Sequence, residues 1–216
     1  MPDPLQSADN HAVSRRSVLG KATGAAALTA AFGAPLCEAE DQSRTARRGR
    51  VRQSIVFWCF NVAGERWTAE RTCQVAKQLG CPSVELLPPT QWGALKKSGL
   101  TCAIAPNGMP GAPFVKGFNN LRYHDEVISR TKTMIDACAD AGFPSVIAFT
   151  GYKWRDAEDP TSGEISREEG ADNCVKGLKK ILPYAQKKGV TICVEHLNSR
   201  DDSHPMKGHP GYQGDD

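Results

Sequence analysis

The chain has 216 residues, of which 40% are hydrophobic and 24% charged, which is enough apolar material for a sizeable core and ordinary for a globular protein. Its formal net charge is only +3 and aromatics make up 7%, so no basic, aromatic-laced surface argues for nucleic-acid binding.

The first segment reads as a targeting sequence. Ser14-Arg15-Arg16-Ser17-Val18-Leu19 is a twin-arginine pattern, followed by a mildly apolar run from Gly20 to Leu36 and a small-x-small end at Cys37-Glu38-Ala39. Residues 1–39 are therefore expected to be a Tat-type signal that directs export to the periplasm or another extracytoplasmic space. A stable membrane anchor is the alternative, but Lys21, Gly24, Gly33 and Pro35 interrupt a run already short of the roughly 20 apolar residues a span needs. A lipoprotein signal is disfavoured because the residue before Cys37 is Leu36 rather than a small one. Residues 40–52, with Arg44, Arg47, Arg48, Arg50 and Arg52, read as a solvated basic linker.

From Gln53 the pattern becomes periodic. Ser54–Phe60 is a strand-like run, and Thr68 caps a helix with Val75, Ala76 and Leu79 inward and Gly80 at its end. Residues 82–87 give a second strand, 91–98 a short helix and 100–105 a third strand. Residues 106–120 hold Gly108, Pro110, Gly111, Pro113 and Gly117 and predict a long loop. His124–Ala141 follows as an amphipathic helix, residues 145–149 as a fourth strand, and 150–164 as a polar loop. A fourth helix opens with a capping box at Ser166 and Glu169 and runs to Lys188, with a kink or a split-off last turn expected at Pro183. Residues 190–195 complete a fifth strand, apolar enough to predict burial on both faces.

The eight cysteines show no CxxC pair and are scattered singly through the elements, which argues for small buried hydrophobes with free thiols rather than disulfides or a zinc cluster. Regular βα alternation predicts a parallel α/β fold. An open doubly wound sheet would be complete at five strands, but Asn61-Val62-Ala63-Gly64-Glu65-Arg66 is not the Gly-rich phosphate turn such a sheet carries. A barrel needs eight strands, and residues 53–216 supply five.

In a barrel the strand ends carry the chemistry, which singles out Glu195 after the fifth strand and Glu85 after the second. A structural ion pair or a turn cap is the plain alternative for each. Asn198 is a candidate for hydrogen bonding substrate or for fixing the turn after Glu195. Arg200, Lys207 and His209 are candidates for holding a substrate carboxylate, with surface solvation the simpler role for any one alone. His196 points away from Glu195 on a regular strand and reads as a packing residue, and His124 as no more than a helix opener.

Residues Phe57–Phe60, Val84-Glu85-Leu86, the loop from Pro106 to Gly117, the segment Val194–Asp201 and the tail Met206–Tyr212 together resemble the hydroxypyruvate isomerase family of the xylose-isomerase-like TIM barrels. That resemblance implies a partial (β/α)8 barrel, with about five of eight strands present. It also implies a divalent-metal site, Mg²⁺ or Mn²⁺, built from Glu, Asp, His or Gln, and Glu on the fifth to eighth strand ends. Glu195 matches the first ligand and a proton-transfer role. The other three have no positions in these 216 residues, so a truncated and inactive product is the expectation for the chain alone. The activity implied is interconversion of hydroxypyruvate and tartronate semialdehyde. Sugar epimerases and metal-dependent endonucleases of the same barrel, and a non-catalytic small-ligand-binding remnant, are the other readings. A homo-oligomer is among the expected partners, alongside a small hydroxy-acid or sugar substrate.

Overall fold

The computed structural model describes residues 51–198 and 209–214. The twin-arginine segment, most of the basic linker, Arg200 and Lys207 lie outside the described residues.

Five parallel staves follow one another in chain order and form an arc of barrel wall. β1 (Ser54–Val56) pairs with β2 (Ser83–Glu85), placing Ile55 opposite Val84 and Val56 opposite Glu85. Residues 101–105 come next: Thr101 bridges to Ser83 of β2, and Ala105 bridges to Val146 of β3 (Ser145–Phe149). After an antiparallel hairpin of β4 (Trp154–Asp156) and β5 (Asp159–Glu164), β6 (Thr191–Glu195) pairs with β3 from Ser145–Thr191 to Phe149–Glu195. This is the partial α/β barrel expected from the alternation of elements.

The helices cover the outer face of the arc. α1 (Ala69–Gln78) begins where the Thr68 hydroxyl accepts the Arg71 amide, and α4 (Arg167–Lys188) where the Ser166 hydroxyl accepts the Glu169 amide. α2 (Trp92–Ser98), α3 (His124–Ala141) and α4 each stop at a glycine in the left-handed conformation, where a β-carbon would be strained. Between helices and sheet lies the main core, which includes Cys73, Val84, Leu95, Ile135, Val146 and Ile181. No described helix is long and apolar enough to cross a membrane.

Several elements depart from the sequence pattern, each for a local reason. The first strand is only three residues long, because Phe57–Phe60 winds into a 3₁₀ turn pinned by the Trp67 amide donating to the Phe60 carbonyl and by Trp67 stacking on Phe60 at 4.7 Å. Leu79 is exposed rather than inward, since it falls at the helix end just before left-handed Gly80. The polar stretch after β3 is a hairpin: β5 faces solvent, so it lacks the apolar alternation that marks a half-buried strand. Pro183 does not split α4; it sits on the exposed side, where water can take the carbonyl it leaves without a donor.

β6 corrects the expectation of a doubly buried strand. Thr191 and Val194 are exposed, because among the described residues the strand has a neighbour on the β3 side only. His196 is likewise exposed rather than packed. The cysteines of the described residues are free, as expected. Cys73, Cys81, Cys102 and Cys138 are buried, Cys174 and Cys193 half-buried, and Cys59, against expectation, exposed.

Candidate functional site

Alternation along the strands decides which side chains face the inside of the arc. On β3, Val146 and Ala148 belong to the outer core, whereas Ile147 and Phe149 belong to a second, inner cluster with Tyr212, Leu86, Ile104, Phe114, Tyr152 and Leu197. Glu195 is the register partner of Phe149 and so shares its inward face. On β2, Val84 joins the outer core, which turns its neighbour Glu85 inward. Both carboxylates therefore stand at the C-terminal mouth of the arc.

The wall around them is aromatic. Phe114 meets Phe149 edge-on at 6.2 Å, Tyr152 at 6.0 Å and His209 at 4.3 Å, and Tyr212 meets Phe149 edge-on at 6.5 Å. Desolvation is the larger cause that lifts the Glu195 carboxyl above its ordinary value, and the negative charge of Glu85 adds to it. A carboxyl lifted in this way holds and releases a proton closer to neutrality.

The loop and the tail supply this wall by close backbone approach. The Phe118 and Asn119 amides donate to the Phe149 and Thr150 carbonyls, and the Tyr152 amide donates to the Val115 carbonyl. Glycine is required on both sides of this contact. A β-carbon on Gly117 would lie 2.2 Å from the Thr150 oxygen, and one on Gly151, at φ +105, would lie 2.5 Å from Asn119 Oδ1. From the other side, the Lys153 amide donates to the Gly211 carbonyl and the Gln213 amide to the Gly151 carbonyl. The Gln213 side chain accepts from Asn119 Nδ2 at 2.7 Å and donates to the Ile165 and Ser166 carbonyls at 2.9 Å.

Of the residues singled out from sequence, the structure brings Glu195 and Glu85 together across the mouth. Asn198 is exposed, three residues beyond Glu195. His209 lies against the Phe114 ring with its backbone carbonyl accepting the Tyr212 amide. Tyr212 is the residue the sequence undervalued: it is 2% exposed, donates its phenolic hydrogen to the Glu195 carbonyl at 2.6 Å, and accepts the Thr150 amide at 3.0 Å. Phe114 was equally hidden, as one apolar residue in a loop full of glycine and proline.

Residues 73–208, more than half of the chain, match a known sequence family described as the xylose isomerase-like TIM barrel. The chain belongs to that family. A search of curated proteins finds no significant match. Among solved structures, an AP endonuclease of family 2 from Brucella melitensis matches with a TM-score of 0.54 and 15% identity, over 76% of this chain and 59% of that one. A 3-keto-D-glucoside 4-epimerase from E. coli matches at 0.51 and 14%, over 69% of this chain and 57% of that one. A putative xylose isomerase from Rhodospirillum rubrum matches at 0.50 and 22%, over 68% and 54%. These likenesses show the fold, and the chain spans 59%, 57% and 54% of the length of the three structures.

The divalent ion implied by the xylose isomerase-like resemblance meets the right kind of donor here but too few of them. Two carboxylates suit a hard Mg²⁺ or Mn²⁺. Yet no group of three or more His, Cys, Asp or Glu able to hold a metal occurs among the described residues. The described set does not make a metal centre by itself.

Proposed function

We propose that this chain carries the proton-transfer half of a carbohydrate isomerase or epimerase, acting on a small hydroxycarbonyl compound. Interconversion of hydroxypyruvate and tartronate semialdehyde is the isomerase form of this reading, and sugar epimerisation its equal alternative. The observation that carries it is the placing of Glu195 and Glu85 on the inward face at the C-terminal strand ends, where burial, and after it the charge of Glu85, lifts the Glu195 carboxyl. Substrate enters with its carbon chain against Phe114, Phe149 and Tyr152. The Glu195 carboxylate takes the proton from the carbon beside the carbonyl, the C–H electrons form the C=C bond of an enediol, and the carbonyl electrons move onto oxygen. Return of the proton to the former carbonyl carbon, with the proton of the adjacent hydroxyl passing to the former carbonyl oxygen, isomerises the compound. Return to the same carbon from the opposite face inverts it, and Glu85, across the mouth, is the described group placed to serve that face or to orient a substrate hydroxyl.

Asn198, His209, Arg200 and Lys207 follow Glu195 in sequence and are proposed as substrate-contacting groups, the last two serving a carboxylate if the substrate is a hydroxy acid. Polarisation of the carbonyl by Mg²⁺ or Mn²⁺ is expected from the family, and the described residues do not by themselves suffice to hold the ion. A nuclease role has less support, because a formal net charge of +3 and 7% aromatics give no basic, aromatic-laced surface for nucleic acid. Export by the twin-arginine route, supported by the Ser14–Leu19 pattern, and assembly as a homo-oligomer complete the proposal.

The test is hydrogen exchange in heavy water, followed by NMR, with hydroxypyruvate and with neutral ketoses, each with Mg²⁺ or Mn²⁺ present. Deuterium entering beside the carbonyl in the wild type, reduced about 10²–10⁴-fold in Glu195→Gln, is the expected result. Its position separates isomerisation from epimerisation. Wild-type protein that exchanges none of these compounds would overturn the reading, and so would full exchange in Glu195→Gln.

A further inference from the structure

We propose that Tyr212 is a positioning residue for Glu195, and that residues 209–214 are the strap that holds it there. This inference rests on the proton-transfer reading above. A carboxylate that removes hydrogen from carbon must be held to a fraction of an ångström, because misplacement of about 1 Å costs on the order of a hundredfold in rate. Glu195 is the last residue of β6, which among the described residues has a neighbour on the β3 side only, and His196 and Asn198 after it are exposed.

Tyr212 adds a constraint at this strand end. Its phenol donates to the Glu195 carbonyl at 2.6 Å and accepts the Thr150 amide at 3.0 Å, tying together the ends of two neighbouring staves. The bond to the carbonyl fixes the peptide plane between residues 195 and 196, and hence the direction in which the Glu195 side chain leaves the sheet. Burial keeps the phenol neutral, so the donated hydrogen stays in place.

The strap is anchored on both sides of Tyr212, which is why this tyrosine can act as a fixed point. Ahead of it, Gly211 lies against the Trp154 ring, where a β-carbon would come within 2.2 Å, and its carbonyl accepts the Lys153 amide. Behind it, Gln213 makes one backbone and three side-chain hydrogen bonds, to Gly151, Asn119, Ile165 and Ser166. These contacts hold the backbone on either side of Tyr212.

Tyr212→Phe keeps the ring in the aromatic wall and removes only the hydroxyl. Three readouts on the full chain test the assignment. The Thr150 amide, which loses its acceptor, should exchange with solvent at least about fivefold faster, the equivalent of one ordinary hydrogen bond. A crystal structure of the variant should show the Glu195 carboxylate displaced relative to wild type. On whichever substrate the wild type turns over, kcat should fall about ten- to a hundredfold with KM changed less than about twofold. A role in stability alone would leave that split unmoved. An unmoved Glu195 carboxylate in Tyr212→Phe overturns the assignment, and so does an unchanged kcat. Absence of turnover by the wild type counts against the isomerase reading only, since the exchange rate and the carboxylate position still decide for or against Tyr212. Should Tyr212→Phe fail to fold, Gln213→Ala, which loosens the strap one residue away, must displace the same carboxylate.

Discussion

Replacing Gly151 with alanine tests whether the backbone crossing of the 115–119 loop and the β3 extension builds the mouth. Two costs add at this position. The residue sits at φ +105, where a side chain costs about 1–2 kcal/mol. The new β-carbon would also lie 2.5 Å from Asn119 Oδ1 and 2.7 Å from the Gly117 nitrogen, and such overpacking costs about 1–3 kcal/mol. Gly111 is the control: its φ is +65 but nothing lies within 4 Å of a β-carbon there, so only the first cost applies. The difference between Gly151→Ala and Gly111→Ala is thus about 2 kcal/mol, or roughly 4–8 °C in Tm for a chain of this size. Thermal unfolding followed by circular dichroism reads it directly. Equal Tm values for the two variants would show that the loop and the β3 extension are not in the close contact on which the aromatic wall depends.

Two further outcomes follow from single residues. A carboxyl whose folded value is raised binds more protons in the folded than in the unfolded state, so stability falls as pH rises from the ordinary glutamate range through the raised value. Glu195→Gln should therefore have a higher Tm than wild type at pH 7 and a smaller difference near pH 4; a variant less stable than wild type at pH 7 contradicts the assigned environment. Pro183→Ala should stabilise α4: removing an interior proline is worth about 3 kcal/mol and the added freedom of the unfolded chain takes back about 1, leaving about 2 kcal/mol, which urea unfolding can measure.

The sequence made the fold readable wherever burial and capping agree. Thr68 and Ser166 mark helix starts in both sequence and structure, and α3 buries Val127, Thr131, Met134, Ile135 and Cys138 as its spacing requires. It failed where local chemistry and tertiary context part company. The hairpin of β4 and β5 is polar because it faces water, and its anchors are distant in sequence: the Asn120 side chain donates to the Arg155 carbonyl, and the Tyr123 phenol accepts the Ala157 amide. The carboxylates of the site were legible because strand ends in a parallel barrel face the ligand. Their wall was not, since Phe114 and Tyr212 come from irregular segments whose positions no periodicity encodes. His124 shows the same limit: read as a helix opener, it is buried, with Nε2 at 2.8 Å from the Phe118 carbonyl and its ring under Gly177.

The narrow third stave has a consequence for motion. Among the described residues, β1 with β2, and β3 with β6, are two ribbons joined in the wall through residues 101–105, which bridge one ribbon at Thr101 and the other at Ala105. These are isolated bridges, whereas β3 and β6 pair over five residues, so amides along the seam should exchange before those of β3. Glu85 rides on one ribbon and Glu195 on the other. Flexing at the seam would change the gap between the two carboxylates without unfolding either ribbon.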